Sequence, residues 1–83
     1  MSRTRSVIVT GGASGIGLAA VEALLTEGWR VVAADVAAVA VEKARAQLAG
    51  HGDRVRVEVA DISDEAQVVD LVTRTQGEFG PLW

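Results

Sequence analysis

The 83-residue sequence has no cysteine and no tyrosine, a single proline, a single phenylalanine and one lysine, Lys43. Without cysteine, neither a disulfide framework nor a thiolate metal centre can form, and a reducing compartment fits. With so little proline there is no Pro/Ser-rich linker to mark a domain boundary. Positive charge is also in deficit: 8 Lys+Arg stand against 11 Asp+Glu, a formal net charge of −3. That balance argues against a nucleic-acid surface, which needs clustered cations to displace phosphate counterions, and against a polybasic membrane patch. Long apolar runs are missing too, since none approaches the roughly 20 residues of a bilayer span. Met1–Arg5 is basic, but Ser6–Thr10 is too short for a signal-peptide core. The expectation is one small soluble cytoplasmic domain spanning residues 1–83.

What is present is apolar and periodic. Hydrophobic residues make up 49% of the chain, so a packed core is expected rather than disorder. Ser6–Thr10 is a β-branched run ended by Gly11 and Gly12, and it reads as a strand buried on both faces. From Gly15 to Glu27, apolar residues recur at Ile16, Ala19/Ala20 and Ala23/Leu24, the spacing of a one-sided helix that Gly28 would stop. Arg30–Asp35 is a second strand, and Val36–Ala49 is Ala-rich and helix-competent. Arg54–Ala60 alternates apolar and polar residues, as a half-solvated strand near a sheet edge does. Ser63 is the expected N-cap of a last helix, with Asp64 and Glu65 in its first turn and an end between Gly77 and Gly80. The strand starts at Ser6, Arg30 and Arg54 are evenly spaced. Alternating β and α elements imply a parallel sheet covered on both faces, so the fold class is α/β.

The informative stretch is Thr10-Gly11-Gly12-Ala13-Ser14-Gly15-Ile16-Gly17, between the first strand and the first helix. A helix N-terminus carries unpaired N–H donors and a partial positive charge, so it attracts phosphate if no side chain blocks the approach. Gly11 would allow the tight turn, Gly15 the approach of a diphosphate, and Gly17 close packing of helix on strand. An acidic chain can bind an anion in this way, through backbone dipoles. Arg3 and Arg5, before the first strand, lie at the opposite end of the sheet. The alternative is an ordinary glycine-rich turn, but the strand before, the helix after and the downstream acid favour a nucleotide site. A phosphate loop of the Walker type does not fit, because no Lys-Ser/Thr pair follows the glycines. Asp35 closes the second strand near the ~20-residue offset of a carboxylate that binds ribose hydroxyls. No Arg or Lys lies between Asp35 and Glu42 to neutralise a 2′-phosphate, so NAD is favoured over NADP. Asp35 could equally cap the next helix, and both roles are compatible.

The sequence TGGASGIG resembles the TGxxxGxG loop of the short-chain dehydrogenase/reductase (SDR) family. Asp35, the pair Asp61-Ile62 and the exit FGPLW extend the likeness over essentially the whole chain. The resemblance implies the N-terminal half of a Rossmann-type doubly wound sheet, with three βα units in strand order 3-2-1, ending before the fourth strand. It implies that Thr10, Gly11, Ser14, Gly15, Gly17 and the Ile16 backbone surround the diphosphate end of the cofactor. It further implies that Asp35 holds the adenosine ribose, and that Asp61 and Ile62 flank the adenine. On spacing alone, Asp61 reads as well as a turn aspartate. His51 in its Gly-His-Gly turn reads as a solvated loop residue, and Trp29 as packing. The acids Asp61, Asp64 and Glu65 fit a helix first turn, so no metal is expected.

The family's chemistry needs a Ser, a Tyr and a Lys four residues after the Tyr, with the Tyr as general acid/base. This sequence has no tyrosine, and Lys43 lies in the helix after the second strand, so no catalytic residue is assigned and the 83 residues by themselves are expected to be inactive. Strand 1 would also expose an apolar edge where strand 4 belongs. The reading is therefore an N-terminal fragment: the cofactor-binding part of an NAD(H)-dependent oxidoreductase that moves hydride between nicotinamide and a small alcohol or carbonyl compound. The implied partners are the dinucleotide, a small substrate met through a C-terminal part and, at full length, further copies of the chain. The alternatives are a non-catalytic dinucleotide-binding module and an S-adenosylmethionine site.

Overall fold

A computed structural model describes residues 5–82; Met1, Arg3 and the Trp83 that ends FGPLW, all named above, lie outside them. Five residues of β-branched character, Ser6–Thr10, form β1, followed by α1 (Gly15–Thr26), β2 (Arg30–Asp35), α2 (Ala38–Leu48), β3 (Val55–Val59) and α3 (Glu65–Phe79). The strands are parallel and lie in the order β1-β2-β3, the expected 3-2-1 arrangement read from the other edge. The even spacing of strand starts reappears as register: Val7 faces Val31, and Val31 faces Val55. The three strands therefore end level. Their C-terminal tips, with the loops that leave them, make one rim.

β2 is the spine. Its central residues Val31–Ala34 are fully buried because alternate side chains serve two cores. Val31 and Ala33 pack with Val21 and Leu25 of α1 and with Val41, Ala44 and Leu48 of α2. Val32 and Ala34 pack on the other face with Leu71 of α3 and with Ala60. α1 and α2 thus share one face of the sheet and α3 covers the other. On this scaffold Arg56 and Arg74 clasp Glu58 at 2.8 and 2.9 Å, and Arg74 reaches Asp70 at 2.8 Å, while Arg56 also pairs with Glu78. These ion pairs tie the outer strand to α3.

The structure corrects several expectations. β1 is not buried on both faces: Val7, Ile8 and Val9 are only half-buried, because among the described residues a single strand flanks it, and the contacts at its far edge are at Ser6, a bridge to Leu82 and a hydroxyl bond to the Phe79 carbonyl. The second helix is shorter than Val36–Ala49, and Ala49–Arg54 forms a tighter 3-10 turn with Gly52 at φ 63°. The third strand is Val55–Val59, within the expected Arg54–Ala60. Ser63 does not cap the last helix. Asp64 does, its carboxylate accepting from the Ala66 and Gln67 N–H groups, while Ser63 is drawn back to Asp61. Trp29 packs against the core as expected, with the Arg5 guanidinium 5.5 Å over its ring, at the end of the sheet away from the glycine loop. His51 stands 3.4 Å from Arg54. Among the described residues, no helix is long and apolar enough to cross a membrane.

Candidate functional site

The rim is built first by how tightly the chain turns from β1 into α1. Gly11 (φ 66°) and Gly15 (φ 58°) take left-handed conformations that side-chain-bearing residues rarely adopt. Gly12 and Gly17 are required by closeness instead. A Cβ on Gly12 would lie 2.9 Å from Ala33 Cβ and from the Val9 carbonyl oxygen, and one on Gly17 would lie 1.9 Å from the Gly11 carbonyl oxygen. The loop is wound directly onto both the sheet and its own helix. The first bond within α1 runs from Leu18 N–H to the Ser14 carbonyl at 3.2 Å, so the preceding amides have no helical acceptor. The Ser14 hydroxyl does not cap them, and the first turn holds no acidic residue. Ser14, Gly15 and Ile16 are exposed, and the space where a Gly15 side chain would stand is open. Here is a positive helix end with free donors and room in front of it, the donor set a diphosphate requires.

The second wall comes from the ends of β2 and β3. Asp35 accepts from Ala13 N–H of the glycine loop at 3.3 Å and from Ala37 N–H at 3.1 Å, so its carboxylate buckles the loop to the end of β2. Beside it lies a cleft of about 220 Å³ lined by Gly11, Ala34, Asp35, Val36, Ala60, Asp61, Ile62 and Ser63. Val36 and Ile62 are 67% and 56% exposed, apolar surface suited to the faces of a flat ring. Asp61 Oδ1 accepts from the Ser63 N–H at 2.9 Å and from the Ser63 hydroxyl at 2.6 Å. Those two bonds, the hydroxyl first, hold the Asp61 carboxyl below the usual carboxylate range. The Asp61 N–H in turn donates to Gln67 Oε1 at 2.9 Å.

Of the residues singled out in the sequence, Gly11, Asp35, Asp61 and Ile62 therefore meet in one cleft. Thr10 stands at the end of β1 opposite Ala34, and Ser14, Gly15, Ile16 and Gly17 form the adjoining turn and helix start. Gly12, Val36, Ala60, Ser63 and Gln67 were missed. Two larger hollows, of about 470 and 510 Å³, lie elsewhere, one at the outer face of β3 around Arg45, Arg56 and Arg74, the other around Arg30, Arg54 and Phe79. Size does not select the site, because in the first of these hollows the guanidinium groups are already paired with carboxylates.

Fold and rim together define an α/β protein of the Rossmann type. Comparison with known proteins narrows the class: the model of the short chain dehydrogenase family matches residues 5–83, and the chain belongs to that family. It is 40% identical over 77 residues to 1-deoxy-11-beta-hydroxypentalenate dehydrogenase of Streptomyces avermitilis, covering 93% of this chain and 28% of that protein. It is 40% identical over 78 residues to levodione reductase of Leifsonia aquatica, covering 92% and 29%. Among solved structures, a short chain dehydrogenase/reductase of Burkholderia phymatum in complex with NAD superposes with a TM-score of 0.86 at 30% identity, over 95% of this chain and 28% of that one. The chain thus spans somewhat under a third of the length of the relatives it matches.

Proposed function

We propose that this chain forms the cofactor-binding part of an NAD(H)-dependent oxidoreductase acting on a small alcohol or carbonyl substrate. The observation that carries the reading is the junction of an open, uncapped helix start with a cleft that holds Asp35 at one side and Asp61 with Ile62 at the other. The Ser14–Gly17 amides would take the diphosphate, Asp35 the ribose hydroxyls, and Val36, Ile62 and Asp61 the adenine. When bound, the nicotinamide supplies hydride transfer at C4; the residues of this chain orient the adenosine half and the diphosphate. The named activities of the relatives, dehydrogenases and reductases, support the reaction class. The NAD complex of the Burkholderia protein supports the cofactor type.

NAD rather than NADP follows from charge. A 2′-phosphate beside Asp35 would face a carboxylate already fixed by two backbone bonds, with no basic residue between Asp35 and Glu42. Calorimetric titration of the full chain with NAD⁺ and NADP⁺ is expected to show saturable binding with NAD⁺ favoured. Asp35→Asn should narrow the preference by about tenfold, the equivalent of ~1.4 kcal/mol. Binding of neither dinucleotide, or a preference for NADP⁺, defeats the assignment.

A further inference from the structure

The foot of the sheet, at the end away from the rim, holds a hollow that the dinucleotide reading does not use. Arg30 opens β2 and Arg54 stands just before β3; because Val31 faces Val55 across these strands, the two arginines lie side by side. Both are half-buried, and they line the hollow of about 510 Å³ together with Gly28, Asp53, Glu78 and Phe79. Their surroundings differ from those of Arg45, Arg56 and Arg74, each of which holds a carboxylate. Among the described residues, no carboxylate pairs with Arg30 or Arg54. The Arg30 guanidinium lies over the Phe79 ring, 5.9 Å from its centroid, and its N–H groups have no protein acceptor among the described residues. Arg54 donates from Nη1 to the Leu25 carbonyl at 3.0 Å, and its Nη2 stands 3.4 Å from His51 Nδ1, which leaves its remaining N–H groups unspent.

We propose that this hollow binds a small organic carboxylic acid, with its carboxylate between Arg30 and Arg54 and its apolar body beside Phe79. Like charges on neighbouring strands repel, and partly buried ones are screened less than exposed ones. An anion set between them turns that repulsion into attraction on both sides. A planar guanidinium presents its donors as a fork that matches the two oxygens of a carboxylate. The lining also sets the charge of the ligand. Glu78 is already committed to Arg56, so Arg30 and Arg54 against Asp53 leave the hollow positive by a single charge. A monoanion balances it, whereas the second charge of a phosphate would face Asp53. The volume lies within the roughly 300–1,000 Å³ of small-molecule sites, so there is room for more than the carboxylate alone.

The test titrates the isotope-labelled full chain with benzoate, with its neutral amide benzamide and with inorganic phosphate at constant ionic strength, followed by NMR, with circular dichroism to check the folding of each variant. Benzoate is expected to bind saturably, moving the Arg30, Arg54 and Phe79 signals while those of Gly11, Asp61 and Ile62 stay in place. Benzamide and phosphate should each bind more weakly than benzoate, and Asp53→Asn should narrow the gap for phosphate. Arg30→Gln should lose about tenfold in benzoate affinity. Arg54→Gln should lose as much, but it also gives up the bond to the Leu25 carbonyl, so Arg30→Gln is the deciding variant. Benzoate and benzamide bound alike, an affinity unchanged in Arg30→Gln, phosphate bound more tightly than benzoate, or no saturable shift at all would each overturn the proposal. The hollow lies apart from the rim, so either result leaves the dinucleotide reading to its own titration.

Discussion

Gly17 shows how little tolerance the site has at the scale of one residue. The hydrogen at its Cα occupies space where a methyl group would overlap the Gly11 carbonyl oxygen at 1.9 Å and its carbon at 2.7 Å. Both are backbone atoms and cannot rotate aside. Gly17→Ala must therefore lift α1 from the loop, which displaces the amides proposed to take the diphosphate and loosens Val21 and Leu25 in the core beneath. The expected cost is about 1–3 kcal/mol, measured by denaturant unfolding, together with loss of NAD⁺ binding in a titration. Unaltered stability would mean that the close approach is relieved by a small slide of the helix. Gly15 differs: its conformation is left-handed but its surroundings are open, so Gly15→Ala should cost chiefly backbone strain and obstruct the ligand while leaving the core intact.

Among the elements, α3 depends most on its first turn. Asp64 supplies the cap, accepting from Ala66 N–H at 3.0 Å and Gln67 N–H at 3.4 Å, and it also takes the Gln67 amide. Asp64→Ala is expected to destabilise the chain by about 1 kcal/mol, while Ser63→Ala, which leaves the cap in place, should change stability far less; paired unfolding curves decide between Asp64 and Ser63 as the cap. Both residues are good cap formers, and the sequence pattern alone could not rank them, because the choice is made by Asp61. Its carboxylate captures Ser63 in a tight turn and leaves the next residue to start the helix. The same limit explains Gln67, which as a polar residue on a helix surface carries no sign that it reaches six residues back. Gly12 was hidden for another reason: its role depends on Ala33 across the sheet, a contact with no trace in local spacing. What periodicity and glycine placement did reveal were the three strands, their parallel arrangement and the tight glycine turn between β1 and α1. Those features follow from local conformation and from burial on two faces of β2; the order of the sheet came with the family resemblance.

At the scale of the whole molecule, the sheet is asymmetric, and the asymmetry makes a measurable difference within one strand. The Arg30 N–H donates to the Arg5 carbonyl at 2.8 Å, which fixes the alternation along β1: Val7 and Val9 direct their amides toward β2, and Ile8 and Thr10 direct theirs to the far edge. On that edge the described contacts are at the start of the strand, the Ser6–Leu82 bridge and the Ser6 hydroxyl bonded to the Phe79 carbonyl at 3.0 Å. β3, at the opposite edge, is better defended, since the Arg45 side chain donates to the Val57 carbonyl at 2.9 Å and ion pairs crowd its surface. Edges defended by charge resist pairing with other chains, and bare apolar ones invite it. Amide hydrogen exchange on the dilute 83-residue chain should therefore find Val7 and Val9 protected while Ile8 and Thr10 exchange quickly. As the concentration rises, Ile8 and Thr10 should gain protection and the apparent mass should increase, while the edge at β3 stays unchanged. Protection of Ile8 equal to that of Val9 at every concentration would show that the β1 edge is already paired within a single chain, and the self-association expected from the sheet would then have no strand to start from.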